Sequence, residues 1–185
     1  ESAFESAEAL AVAPGGTITV AGSAQAGNDQ NLLVAQLTPS GALHVPFGSG
    51  GLLVSYLQGG HDNADDVLVD TDGSIVLVGS TSAEANGLRS ALIGRLMPNG
   101  EWDGRFGCGG TAIYAASWVA SAWTSVALDP RGGFIVAGAA LGTPLLARLV
   151  FAGRRDKFHE IVDAALGFFA VFLAQLTQIA GLVEH

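Results

Sequence analysis

The chain has 185 residues, a formal net charge of −9 and 26 glycines. Such an acidic surface repels phosphate backbones, so no nucleic acid is expected among its partners. The glycines show no Gly-X-Y period, which excludes collagen and indicates many short strands joined by glycine turns. Cys108 is the single cysteine, so an intrachain disulfide is excluded.

A β-prone run, a tight glycine turn and a second run ending in glycine form the first repeated pattern. It occurs three times, as ALAVAPGGTITVAG at 9–22, DVLVDTDGSIVLVG at 66–79 and SVALDPRGGFIVAG at 125–138. The copies are offset by 57 and then by 59 residues. Self-similarity at a nearly fixed period indicates a repeat protein.

Two further patterns follow each copy. The second is LVAQLTPSG at 33–41, LIGRLMPNG at 92–100 and LLARLVFAG at 145–153. The third, FGSGG at 47–51, recurs as FGCGG at 106–110 and has no counterpart after residue 153. We therefore predict three repeats at about 5–62, 63–121 and 122–153, the last of them incomplete.

Each complete repeat holds four short β-prone runs, which predict a four-stranded antiparallel meander. Four such strands per repeat are typical of a β-propeller blade. We predict an all-β fold of three β-propeller-like blades within residues 1–153.

These spaced motifs resemble the bacterial delta-60 repeat, a β-propeller repeat family, over residues 5–153. The resemblance implies a binding or scaffolding propeller that is secreted or lies at the cell surface. It implies no catalytic residue, because the family shares none that can be transferred to this chain.

Three blades are fewer than the four to eight of closed propellers, and the first and last would expose unpaired edges. A second copy of the chain, blades of a longer protein or the C-terminal tail could complete the ring. We expect self-association through the blade edges and the tail, giving about six blades in a two-fold dimer. A protein or carbohydrate ligand is a further possible partner.

The tail, residues 154–185, changes period. Its apolar residues are spaced alternately by four and three positions, which predicts a hydrophobic α-helix: Phe158, Val162, Ala165, Phe169, Phe172, Leu176, Ile179 and Val183. We favour a helix buried against the blades or a partner. One alternative is a membrane anchor at 161–183. Another is a β-strand, because AQLT at 174–177 repeats 35–38.

An acidic stretch at the start of the second repeat is the candidate metal site. Oxygen ligands at this density suit Ca²⁺, and they come from Asp62, Asp65, Asp66, Asp70 and Asp72, with Asn63 between them. The spacing is not that of an EF-hand, and we favour an exposed loop and a hairpin turn. No other cofactor is predicted.

Three tryptophans, Trp102, Trp118 and Trp123, are candidate ligand-binding residues, and the alternative is that they lie between blades. The chain offers no set of nucleophile, base and orienting residue, so we predict that it is not an enzyme. The alternative is an enzyme whose site lies in a central channel, where Asp66 and Asp70 are the only acid or base candidates near the predicted inner strands.

Overall fold

The computed structural model describes residues 5–83, 87–115, 119–130, 133–151 and 158–161. Over those residues the protein is all-β, with twelve strands in three antiparallel sheets of four. The strands of each sheet lie side by side in chain order. We call the sheets blades 1, 2 and 3.

The strand boundaries follow the repeated motifs. Blade 1 consists of β1 (Glu5–Val12), β2 (Ile18–Ala26), β3 (Asp29–Leu37) and β4 (Leu52–Ser55). Blade 2 consists of β5 (Asn63–Val69), β6 (Ile75–Ser82), β7 (Arg89–Leu96) and β8 (Thr111–Tyr114). Blade 3 consists of β9 (Ser121–Leu128), β10 (Phe134–Ala140), β11 (Thr143–Phe151) and β12 (Phe158–Ile161).

A β-bulge interrupts the first hairpin of every blade. Pairing shifts between Ala7 and Ala9 in β1, between Ala64 and Asp66 in β5, and opposite Ala137 and Gly138 in β10. A β-carbon on the glycine of blade 2, Gly79, would lie 2.0 Å from the Asn63 carbonyl oxygen. The glycine that ends each copy of the first sequence pattern is therefore required by the close approach of the two strands.

The three blades pack face to face through two apolar cores. The core between blades 1 and 2 includes Val34 and Phe47 from blade 1 and Leu77 and Leu92 from blade 2. The core between blades 2 and 3 includes Val78 from blade 2 and Phe134 and Val136 from blade 3. The first strand of each following blade lies against the preceding blade, so β5 contacts β1 and β9 contacts β5. This is the arrangement of neighbouring blades in a propeller.

The predicted helix over 154–185 is wrong where the structure describes that segment. Phe158–Ile161 form β12, which runs antiparallel to β11 and pairs Arg148 with Ile161. The pairing explains the difference, because β11 would otherwise present an unpaired edge. In blades 1 and 2, β4 and β8 cover the same edge.

The strand β12 lies beyond the predicted end of the third repeat at residue 153 and gives blade 3 its fourth strand. The rest of the tail, residues 162–185, lies outside the described residues. It includes nearly all of the predicted membrane span and the AQLT segment. Among the residues that are described, no helix is long and apolar enough to cross a membrane.

Candidate functional site

The buried Asp62 links blade 2 to blade 1. Its carboxylate accepts hydrogen bonds from the Leu57 amide (2.8 Å) and the Thr81 hydroxyl (2.5 Å), and its own amide donates to the Gln30 carbonyl oxygen of β3 (2.8 Å). Burial raises the pKa of Asp62 above its usual value of 3.8, although both hydrogen bonds act in the opposite direction. The carboxylate is therefore committed to the junction.

Asp65 is the bulged residue of β5. Its carboxylate accepts a hydrogen bond of 2.7 Å from the Asn63 side chain. Burial raises its pKa, the Arg89 charge opposes that change, and the Glu8 charge adds to it. Glu8 is the bulged residue of β1 in blade 1. The equivalent bulge positions of blades 1 and 2 therefore carry negative charges that repel each other.

Asp66 joins blade 2 to blade 3. One carboxylate oxygen accepts from the Val126 amide (2.8 Å) and the Ser125 hydroxyl (3.2 Å) of β9. The other accepts from the Val67 amide (2.8 Å). Sequence reasoning missed this contact because its partners lie about 60 residues away, and the repeat shows Ala9 at the equivalent position of blade 1.

Asp70 and Asp72 shape the hairpin turn between β5 and β6. Asp70 accepts from the Thr71 amide (2.6 Å) and Asp72 from the Ser74 amide (2.8 Å). Partial burial would raise the pKa of Asp72, but the Ser74 hydrogen bonds and the Arg95 ion pair (2.7 Å) hold it below its usual value. These contacts match the hairpin turn that we favoured for this part of the stretch. The exposed loop that we favoured for its first part is wrong, because Asp62 is buried and Asn63–Val69 form β5.

The five candidate calcium ligands make separate contacts, at two blade junctions, at the bulge of β5 and in the hairpin turn. Over the described ranges, no group of three or more His, Cys, Asp or Glu residues is placed to hold a metal ion. Asp66 and Asp70, the two candidates for a central-channel enzyme, likewise belong to different contacts, one at a blade junction and the other in a turn.

Blades 1 and 2 each carry a polar pair at the same two repeat positions, the first of them on the third strand of the blade. In blade 1 the Gln36 side chain and His44 Nδ1 share a hydrogen bond. In blade 2 the same two positions hold Arg95 and Asp103, with Arg95 Nε 3.7 Å from Asp103 Oδ2. The repeat alignment could have revealed this exchange of a Gln–His pair for an Arg–Asp pair. The Arg105 hydrogen bonds, aided by its charge, hold the pKa of Asp103 below its usual value despite burial.

The two tryptophans that the structure describes lie between blades. Trp102 of blade 2 donates from its indole nitrogen to the Ser55 hydroxyl of blade 1 (3.3 Å). The buried Trp123 of blade 3 lies against Tyr114 of blade 2, with ring centroids 6.4 Å apart. Trp118 lies outside the described residues.

Cys108, His44 and His61 lie outside the strands. Cys108 is a free, exposed thiol in the second FG-x-GG turn, where blade 1 has Ser49. His61 Nδ1 accepts a hydrogen bond of 3.2 Å from the Gln30 amide. These two side chains and His44, which pairs with Gln36, therefore belong to turns and junctions.

The outward face of blade 1 exposes several large apolar side chains that lie side by side. It exposes Leu10 by 64%, Val12 by 60% and Val54 by 54%. Strand pairing places Leu10 opposite Val20, and Leu52 continues the same face. Large apolar side chains exposed side by side indicate an interaction surface.

In blade 2 the equivalent face is covered by blade 1. Val67 occupies the repeat position of Leu10, lies in the core between blades 1 and 2, and is only 5% exposed. We call the uncovered face, formed by Leu10, Val12, Leu52 and Val54, the blade 1 face. The aligned repeats carry the signal for it, because the apolar pattern that blade 2 buries is also present in the first repeat.

Comparison with known protein families identifies one model over part of the chain. The model, described as Domain of unknown function (DUF5122) beta-propeller, matches residues 71–106. The matched segment runs from the β5–β6 turn to Phe106 of blade 2 and supports a propeller-repeat family, without distinguishing the delta-60 repeat within that class. No curated protein matches the chain. Three meander sheets packed face to face and a propeller match in the central one show that the chain is a β-propeller-like domain.

Proposed function

We propose that this chain is a non-catalytic scaffolding module of the delta-60 type that acts by association through the faces of its blades. The observation that carries the proposal is the exposed blade 1 face. Burying Leu10, Val12 and Val54 against a partner would contribute about 25 cal/mol for each Å² of apolar surface removed from water. A propeller-like domain that keeps such a face open is suited to binding a second sheet.

The polar side chains support a structural role over a catalytic one. Asp62 and Asp66 tie neighbouring blades together, and Arg95 and Asp103 lie beneath one blade. A general acid or base must reach a substrate proton within hydrogen-bonding distance. Carboxylates that hold backbone amides of the fold serve that role poorly.

A charge on the blade 1 face tests the proposal. We expect Leu10→Asp to reduce either self-association, measured by light scattering, or the binding of an apolar fluorescent dye by the free chain. Val45→Asp is the matched control, because Val45 is as exposed as Leu10 but lies in a loop outside the face. If Leu10→Asp changes neither association nor dye binding, the proposed function is wrong.

A further inference from the structure

We infer that the blade 1 face docks against the outward face of blade 3 in a second copy of this chain, so that two copies close a six-bladed ring. The inference rests on the proposed function and names its partner. Blade 2 is the only described blade with both faces covered by other blades.

The outward face of blade 3 is the matching half of such a contact. Strand pairing places Ala127 with Ile135 and Ala137 with Leu146 on the side away from blade 2. Leu146 is 43% exposed. We call this surface, formed by Ala127, Ile135, Ala137 and Leu146, the blade 3 face.

In the other two blades, residues at the repeat positions of the blade 3 face pack against the following blade. In blade 2, Val76, Val78 and Ile93 occupy the positions of Ile135, Ala137 and Leu146. All three are buried in the core against blade 3. In blade 1, Ala21 and Val34 occupy two of these positions and are buried against blade 2.

Each blade therefore receives the following blade on one side and covers the preceding blade with the other. The blade 1 face is of the covering type, since its Leu10 corresponds to Val67. The blade 3 face is of the receiving type. A second copy supplies the missing half of both contacts and continues the blade order without reversing it.

Polar groups on the blade 3 face are compatible with burial. Arg148 shares the face, because it pairs with Ile135 across the sheet, and its guanidinium is already neutralised by Asp129 at 2.6 Å. Ser125 occupies the position of Asp66, which accepts the Val126 amide of the next blade. Its hydroxyl donates to Asp66 of blade 2, which leaves the oxygen able to accept a hydrogen bond from the equivalent amide, that of Leu10, in a second copy.

Two such contacts close a ring. Blade 3 of each copy receives blade 1 of the other, and a two-fold axis relates the two contacts. The ring then holds six blades, within the four to eight of closed propellers. A closed ring also leaves no blade face uncovered.

The experiment compares the full chain with three variants by light scattering after size exclusion. We expect the unmodified chain to have twice its mass of 18.7 kDa. Leu10→Asp and Leu146→Asp should each shift the chain to monomer at a concentration where the unmodified chain is dimeric. The control Val45→Asp should remain dimeric.

Leu146→Asp distinguishes this contact from other ways in which the blade 1 face could be covered. A dimer built from two blade 1 faces would survive Leu146→Asp and break with Leu10→Asp, which would overturn the inference and leave the proposed function standing. A monomeric chain with Leu10-dependent dye binding would also overturn the inference and leave the proposed function standing. A monomer whose dye binding does not depend on Leu10, as when residues 162–185 cover the face, would overturn both the inference and the proposed function.

Both substitutions fall on exposed side chains, so the variants should fold. Circular dichroism checks that each keeps its β-spectrum. If an aspartate variant unfolds, Leu10→Ser and Leu146→Ser replace the pair, because serine removes the apolar contact without adding charge. Each is then expected to weaken dimerisation by about tenfold or more, because a buried leucine side chain is lost at the contact. An unchanged dimerisation constant would contradict the contact.

Discussion

Blades 1 and 2 are built from the same repeat, yet only blade 2 buries both of its faces. Leu92 and Leu33 occupy the same repeat position, and Leu92 is fully buried while Leu33 is half-buried. The bulge and its glycine, in contrast, are the same in both blades. The glycine turns and bulges of the repeat therefore determine the fold within one blade. Its apolar residues instead determine how the faces of that blade pack against neighbouring blades.

The largest expected difference is between Leu92→Ala and Leu33→Ala. Leu92→Ala leaves a cavity between two blades and should lower the free energy of unfolding by about 2–5 kcal/mol. Leu33→Ala should cost less than half as much at the lowest protein concentration that tryptophan fluorescence allows, where the blade 1 face is uncovered. Urea unfolding monitored by that fluorescence measures both. Leu33 pairs with Val54 of the blade 1 face, so equal costs would contradict its place on an open face.

The bulge glycines should behave alike in the two blades. Gly22→Ala and Gly79→Ala each place a β-carbon within 2.0 Å of a carbonyl oxygen across the hairpin, so each should cost about 1–3 kcal/mol by overpacking. Gly104→Ala is the control, because no atom lies within 4 Å of its new β-carbon. A tolerated Gly22→Ala beside a damaging Gly79→Ala would show that the bulge depends on a covered face.

The junction between blades 2 and 3 should depend on Asp66. Asp66→Ala removes the acceptor of the Val126 amide and should cost about 1–3 kcal/mol, because a buried donor loses its partner. Asp66→Asn keeps one acceptor oxygen and should cost less. The thermal unfolding temperatures of the two variants measure the effect, and if both match the unmodified chain, this link does not stabilise the junction.

The smallest effects should appear in the pH dependence of stability, with opposite signs for two buried carboxyls. The pKa of Asp62 is raised by burial, so its neutral form stabilises the fold below pH 3.8 and this contribution is lost as the pH rises through the raised pKa. The pKa of Asp103 is lowered by Arg105, so its contribution is present above pH 3.8 and is lost as the pH falls through the lowered pKa.

Unfolding free energies of Asp62→Asn and Asp103→Asn between pH 3 and pH 7 test these signs. Relative to the unmodified chain, Asp62→Asn should gain stability as the pH rises and Asp103→Asn should lose it. Parallel curves for the two variants would contradict the opposing environments of the two carboxyls.

The repeated motifs predicted most of the strands, because glycine turns at fixed offsets mark where each hairpin closes. They could not predict β12, since four residues from Phe158 to Ile161 carry too little pattern and only the edge of β11 makes them a strand. The spacing of apolar residues that followed favoured a helix instead.

The candidate site was harder to predict than the fold. The acidic stretch was identified as a group, but its carboxylates are separated by partners in other blades, such as Val126 for Asp66 and Thr81 for Asp62. The blade 1 face was present in the sequence as an apolar pattern. Its exposure depends on which blades lie beside it, and no local pattern records that.

The blade faces left open in one copy should be covered in another, and the molar mass of the unmodified chain tests this most directly. Sedimentation equilibrium over a dilution series should give twice 18.7 kDa, falling toward one chain mass only on dilution. A mass of 18.7 kDa at every concentration would contradict the six-bladed ring.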